Sequence, residues 1–210
     1  MLLQNMQEPA LIGPAAVERD ADGWWKHPDL PTFNEDIVQF SEWLQTQRLE
    51  LVHWSMECDG PEDHPYWDGL GGYPHCRGWY PNAPGPEWFL LSILDTEHGP
   101  RVSWVRRVPT DRWKALTCQM QAQVRSLYDS ACDHGGTYER VVHKAFCHYM
   151  IEHFGVDETR IDAVIAYAFA REAYGYQTSE ELELDDMAAE DEGICSHGLD
   201  FWTCPRGCFE

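Results

Sequence analysis

The sequence predicts an α+β protein, with a small antiparallel sheet and a helix in its N-terminal half, then a three-helix segment, an acidic linker and a short cysteine-rich tail. Apolar residues alternate with polar ones in parts of the first half, as they do in strands. In the second half they recur at helical spacing, and cysteines crowd the last seventeen residues. With 210 residues, 43% of them hydrophobic, the chain can bury one ordinary core or two small ones.

The charge is distributed unevenly along the chain, and this distribution predicts four segments. Residues 1–109 hold seventeen acidic and seven basic residues, residues 110–176 hold nine and seven, and residues 177–210 hold ten and one. We therefore expect an acidic mixed α/β domain with a long aromatic loop at 1–109 and a three-helix segment at 110–176. An acidic linker at 177–193 and the tail at 194–210 complete the chain.

The first segment contains one predicted helix and three predicted strands. Asn34 is a candidate N-cap for a helix whose apolar residues follow at helical spacing. The stretch LELVHWSMEC alternates like a strand. The runs EWFLLSILD and RVSWVRRV are separated by TEHGP, in which Gly99 and Pro100 favour a turn, so they predict a hairpin.

A long loop rich in glycine, proline and aromatic residues lies between the first strand and the hairpin. A loop of this length in a compact domain is usually functional or tied down by other contacts. Aromatic side chains are favoured at the centres of protein interfaces, so we expect a partner-binding surface here. Its anchors would be Trp67, Tyr73, Trp79 and Tyr80. The alternative is that these side chains fold inward and hold the loop.

The later segments predict helices and then a charged stretch. Thr110 or Asp111 begins the first of three helices, and short connections between them are typical of an antiparallel bundle or a layer over the sheet. Eight carboxylates follow between Glu180 and Glu192. Because they repel one another unless solvated, they predict a linker or a frayed helix. A second interpretation is an acidic lure for a basic groove.

The N-terminus has neither a basic start nor an apolar run of signal-peptide length. No stretch approaches the roughly 18 apolar residues that span a bilayer, so we expect a cytoplasmic protein. In that compartment thiols stay reduced, and clustered cysteines more often bind metal than form disulfides.

Four residues near the end of the chain have the composition of a zinc site. Cys195, His197, Cys204 and Cys208 make the spacing C-x-H-x6-C-x3-C. Zinc takes four such ligands in a tetrahedron and contributes folding free energy to segments too short to bury a core. The spacing predicts a zinc-binding tail with a structural zinc ion, because four protein ligands leave no open position. Unliganded thiols, a disulfide and a redox role are the alternatives.

Two further groups of cysteine and histidine are weaker metal candidates. A second site would use Cys132, His134, His143 and Cys147. A third would tie down the aromatic loop through Cys58, His64, His75 and Cys76. In the second group the competing interpretation is a helix that simply carries a histidine and a cysteine beside its apolar stripe.

No nucleophile elbow, zincin motif or Walker sequence occurs, so we expect a protein that is not an enzyme. The alternative is a metal-dependent hydrolase that uses an Asp/His loop. Its candidate residues are Asp59, Asp63, His64 and Asp68.

The net charge of −21 repels nucleic acid and anionic membranes and favours a protein partner with a basic surface. The stretch GWWKHPDLP, together with a tail of the form C-x-H-G followed by two cysteines, resembles small uncharacterised accessory proteins of bacteriophages and mobile elements. The resemblance covers a small part of the chain and implies a viral protein in a host–virus interaction. The leading hypothesis is therefore a non-catalytic acidic interaction protein that inhibits a host defence or nucleic-acid-processing protein and is stabilised by structural zinc.

Overall fold

The computed structural model describes residues 10–60, 64, 66–67, 75–135 and 138–208. Within them the chain forms a four-stranded antiparallel sheet and six helices, which confirms the α+β class. Two compact units divide the chain: Met1–Pro109 with Thr159–Ile161, and Thr110–Glu158 with Asp162–Glu210. No helix in the described ranges is long and apolar enough to cross a membrane.

The first unit is built on the sheet. Its strands are β1 (Trp25–Lys26), β2 (Leu49–Ser55), β3 (Phe89–Thr96) and β4 (Gly99–Arg107), in the order β1-β3-β4-β2. The two strands of the predicted hairpin pair as β3 and β4, and Gly99 has a φ of +87° at their turn, which a residue without Cβ adopts freely. The strand β2 pairs with the far edge of β4, from Leu49 opposite Arg107 to Ser55 opposite Arg101.

Two helices flank β2, namely α1 (Ile37–Gln47) and α2 (Met56–Asp59). The N-cap of α1 is Asp36, whose carboxylate accepts a hydrogen bond from the backbone N–H of Gln39. The expected cap, Asn34, instead has a φ of +48°, in the left-handed region that asparagine tolerates better than most residues. The helix therefore begins later than its first polar residue suggested.

An arginine side chain ties the second half of the aromatic loop to the sheet unit. The guanidinium of Arg19 donates to the carbonyl oxygens of Trp79 at 2.6 Å and Cys76 at 3.0 Å. The Cys76 thiol donates to the Gly23 carbonyl at 3.1 Å. Trp79 and Cys76 are buried in one apolar cluster with Trp25, Met56, Leu90, Ile93 and Val102. This end of the loop is consequently part of the core.

The second unit is helical. Its helices are α3 (Thr110–Gly135), α4 (Glu139–Phe154), α5 (Ile161–Tyr174) and α6 (Ser179–Asp191). The fully buried side chains at its centre come from α3, α4 and α5. Tyr167 on α5 donates its hydroxyl proton to the Gly155 carbonyl at 2.6 Å, and burial raises its pKa to about 12. A neutral phenol thus joins α5 to the end of α4.

A buried ion pair fixes α5 in the second unit. The guanidinium of Arg171 donates two hydrogen bonds, of 2.7 and 2.8 Å, to the two carboxylate oxygens of Glu158. Glu158 is buried, and the Arg171 side chain is only 19% exposed. Breaking such a pair leaves one desolvated charge without compensation.

We predict that Arg171→Leu lowers the free energy of unfolding by about 3–5 kcal/mol, because it leaves the buried Glu158 carboxylate unpaired. Urea unfolding followed by helical circular dichroism measures the effect. The same change at Arg112, an exposed residue of α3, is the control and should cost far less. Equal losses in the two variants would contradict the role of the pair.

The acidic stretch forms a regular helix, whereas its charge predicted an acidic linker at 177–193 or a frayed helix. Thr178 and Glu181 form a capping box at the start of α6, and Leu182 packs against the core of the second unit. On the same side, Asp186 pairs with Arg140 and Lys144 of α4. These hydrogen bonds, that of Lys144 above all, lower the pKa of Asp186.

We predict that Asp186→Asn speeds amide hydrogen exchange throughout α6 at neutral pH, because it removes the carboxylate that Arg140 and Lys144 of α4 share. Glu183→Gln, on the outward side, is the control and should leave exchange unchanged. The pKa of Asp186 is depressed in the folded state, so its stabilisation is present above its ordinary value of 3.8 and is lost as the pH falls through the lowered value. Equal exchange in both variants would sink the anchoring role.

Candidate metal centre

Two tight turns after α6 carry the four residues that the sequence assigned to zinc. In the first turn, the N–H of Gly198 donates to the Cys195 carbonyl at 2.8 Å, and Gly198 has a φ of +76°. The N–H of Cys195 also donates to the Leu199 carbonyl at 2.8 Å. This turn leaves Cys195 and His197 on the same side.

The second turn brings the remaining two cysteines to the same place. The N–H of Gly207 donates to the Cys204 carbonyl at 3.1 Å, and Gly207 has a φ of +75°. Between the turns, the Asp200 carboxylate accepts hydrogen bonds from the N–H groups of Trp202 and Thr203, both at 3.1 Å. Glycine at each turn end permits the left-handed backbone that a side chain would strain.

The candidate ligand atoms converge. One ligand atom from each of Cys195, His197, Cys204 and Cys208 lies within 4.8 Å of all the others. The His197 Nδ1 atom is 3.9, 3.7 and 3.3 Å from the sulfur atoms of Cys195, Cys204 and Cys208. A tetrahedron with ordinary Zn–S and Zn–N bonds places such pairs about 3.5 Å apart. The expected group of metal-ligating side chains is therefore present, and it could hold a metal ion.

The thiols differ in acidity because they share one small space. Burial raises the pKa of Cys195, but hydrogen bonds from the backbone N–H groups of His197 and Leu199, and from the His197 and Cys204 side chains, lower it to about 6. Burial, together with the neighbouring Cys204 and Cys195, raises the pKa of Cys208 to about 11. One thiolate forms readily and opposes the next, a repulsion that a bound cation would offset.

One residue near the centre had no signal in the sequence. The ring of Tyr138, which precedes α4, meets the His197 imidazole edge-on with centroids 5.2 Å apart. This contact joins the His197 ring to the residue that precedes α4. Because Tyr138 lies far from the tail in the sequence, only folding brings the two rings together.

The second cysteine and histidine group is not gathered into a site. Among the described residues, the tail supplies the one group whose ligand atoms converge. His143 and Cys147 lie one turn apart on α4, with Nε2 and Sγ 3.8 Å apart. The same Nε2 atom also forms a hydrogen bond with the Gly175 carbonyl oxygen at 2.9 Å. On α3, Cys132 is exposed and His134 bonds the Ser130 carbonyl of its own helix. The helix-face interpretation describes these residues better.

Among the described residues, the members of the third group and of the hydrolase loop do not converge on a common point either. His64 is buried, its Nδ1 accepts from the Tyr66 N–H at 3.1 Å, and its Nε2 donates to the Arg77 carbonyl at 2.7 Å. Both ring nitrogens are used, so this neutral imidazole is neither a free base nor a metal ligand. The His75 ring contacts the His64 ring edge-on, and Cys58 is exposed. The Cys76 thiol donates a hydrogen bond to the Gly23 carbonyl oxygen. Asp63 and Asp68 lie outside the described residues, and Asp59 ends α2.

The aromatic anchors expected for a partner have different environments. Trp79 is buried in the core of the first unit, which is the inward-folding alternative. Trp67 is partly exposed and packs edge-on against Tyr66. Tyr80 is exposed beneath the Arg19 guanidinium. Tyr73 lies outside the described residues.

Comparison with known proteins gives one relative. The chain is 46% identical over 91 residues to the regulatory protein RecX of Pseudomonas putida, a match that covers 43% of this chain and 70% of the relative. The chain belongs to the RecX regulatory protein family. No protein-family model and no solved structure matches it.

Membership of the RecX family corrects three expectations. The resemblance to bacteriophage accessory proteins was wrong, and so were the viral and host–virus assignments. Inhibition of a host defence protein was wrong for the same reason, since the relative is a bacterial regulatory protein. The expectation of a non-catalytic protein is confirmed, and the hydrolase alternative falls with it.

Proposed function

We propose that this protein is a regulator that acts by binding RecA, with no chemistry of its own. The observation that carries the proposal is its 46% identity to a regulatory protein over most of that protein's length. A regulator without catalytic machinery must act through the free energy of binding. A protein partner is therefore the requirement, and RecA is the partner to test first.

The net charge of this protein indicates the kind of partner surface that it would bind. The net charge of −21 opposes direct binding to nucleic acid and favours a basic surface on the partner. We infer that the site of action is the cytoplasm. Thiols there remain reduced, which suits the eight cysteines without disulfides.

We further propose a structural zinc ion at Cys195, His197, Cys204 and Cys208. Sulfur-to-nitrogen distances of 3.3 to 3.9 Å, close to those of a tetrahedral site, support this proposal, as does the burial of two of the three thiols. Residues 194–208 are too few to fold on apolar burial alone. Bound metal would supply the missing free energy and hold Trp202 in place beside α6.

We predict about one zinc ion per chain in protein purified without chelator, and its loss in Cys204→Ser, because three ligands bind zinc much more weakly than four. Elemental analysis measures the metal, and limited proteolysis measures the protection of the tail. Cys118→Ser, at an exposed cysteine of α3, is the control and should keep both. An equally protected tail and equal zinc in both variants would exclude the site.

We predict that the purified protein binds purified RecA and changes the rate of its DNA-dependent ATP hydrolysis. Biolayer interferometry measures the affinity, which should weaken as salt is raised because charge contributes to the contact. A second acidic protein of similar charge is the control for non-specific attraction. If RecA binds neither the protein nor its chelator-treated form more tightly than the control, RecA is not the partner.

A further inference from the structure

The outward side of α6 carries two large apolar side chains in solvent. Leu184 is 67% exposed and Met187 is 64% exposed. Residues three apart on a helix are neighbours, so the two side chains form one apolar patch. Among the described residues, Leu182 packs against the hydrophobic core of the second unit, whereas neither Leu184 nor Met187 does.

The orientation of α6 is fixed, so this patch cannot turn inward. Leu182 packs against the core, and Asp186 is held by Arg140 and Lys144 of α4. Leu182 and Asp186 lie one turn apart on the inward side, and Ala189 continues that side. Rotating the helix to bury Leu184 would break both ion pairs.

Carboxylates surround the apolar patch. The ionisable residues of α6 are all acidic, and those on its outward side are Glu180, Glu183, Glu190 and Asp191. Unlike Asp186, they meet no ion-pairing cation of α4 among the described contacts. A patch of this kind is complementary to positive charge around an apolar centre.

A cavity extends the patch beyond the end of α6. It has a volume of about 500 Å³ and is lined by Glu190, Ile194, Phe201 and Trp202, together with the ligand residues Cys195 and Cys208. Trp202 is 74% exposed at its edge. Glu190 follows Met187 by one helical turn, so patch and cavity are continuous. We call Leu184, Met187, Glu190 and Trp202 the α6–tail surface.

We propose that the α6–tail surface docks a positively charged segment of a protein partner, with a large apolar side chain of that segment seated beside Trp202. The proposal deepens the regulatory function above, because it assigns the surface through which the partner is bound. Exposed tryptophan and methionine are typical of interface centres, and the surrounding carboxylates select the sign of the partner's charge.

The charge also decides against other occupants. A second copy of this chain would bring another net charge of −21 against the same carboxylates. Nucleic acid and anionic membranes are repelled for the same reason. A basic protein segment is the occupant that satisfies both the apolar and the charged parts of the surface.

The first experiment uses a synthetic helical peptide of leucine and lysine, and a matched peptide with serine in place of every leucine. We expect the wild-type protein to bind the leucine peptide about tenfold or more tightly than the serine peptide by fluorescence anisotropy. The double variant Leu184→Ser/Met187→Ser should lose this preference. Both residues are exposed, so circular dichroism should show an unchanged fold.

Matched variants distinguish binding at the α6–tail surface from non-specific hydrophobic binding. Val156→Ser removes an apolar side chain that is 85% exposed between α4 and α5, and it should keep the preference. Glu183→Gln/Glu190→Gln should weaken binding of both peptides and flatten its salt dependence. If the Leu184/Met187 double variant discriminates between the peptides as well as wild type does, the proposal is overturned.

The second experiment repeats the comparison with purified RecA as the probe. Loss of RecA binding in the Leu184/Met187 double variant but not in Val156→Ser supports the surface. RecA binding that survives in the double variant, or that is lost instead in Tyr80→Ala, overturns it and leaves the regulatory function standing. If wild type fails to bind RecA yet keeps its peptide preference, RecA is the wrong partner and the surface stands.

Discussion

Three sulfur atoms and one imidazole nitrogen within 4.8 Å of one another impose the constraint on which the end of this chain depends. Thiolates at such distances repel, as the spread between the pKa values of about 6 for Cys195 and about 11 for Cys208 indicates. Two glycine turns keep the groups together against that repulsion. Trp202 lies between these turns, so its position depends on the same arrangement.

The acidic residues of α6 have two roles that depend on the side of the helix they occupy. Asp186 faces α4, where Arg140 and Lys144 lower its pKa and hold the helix in place. Among the described contacts, the outward carboxylates Glu180, Glu183, Glu190 and Asp191 form no ion pair with α4. Holding the inward side rigid presents the outward side at a fixed angle, so the same charge run both anchors the helix and displays Leu184 and Met187.

The resemblance that the sequence suggested and the family to which the chain belongs differ for a physical reason. Short turns that contain cysteine, histidine and glycine recur in unrelated proteins, because a small metal site needs little else. Such motifs indicate local chemistry but do not show that two proteins are related by descent. Identity of 46% over 91 residues is a much stronger constraint, since it extends over a far longer stretch of chain than a metal site needs.

The sequence by itself determined what depends on near neighbours. The β3–β4 hairpin, the helices α3, α4 and α5, and the cluster of Cys195, His197, Cys204 and Cys208 are set by periodicity, turn residues and short spacing. The run of carboxylates did not determine whether residues 179–191 form a helix or a linker. Repulsion among those side chains is offset by cations such as Arg140 that lie elsewhere in the chain.

Only the tertiary structure decided the features that need distant residues. It paired β2 with β4, added the two-residue strand β1, and buried Trp79 while leaving Tyr80 exposed. In the tertiary structure both ring nitrogens of His64 also form hydrogen bonds with backbone groups, so this residue is not available for metal binding or catalysis. The physical reason is the same in each case. Periodicity predicts which face of a helix or strand is apolar, but only tertiary packing decides which residues that face contacts.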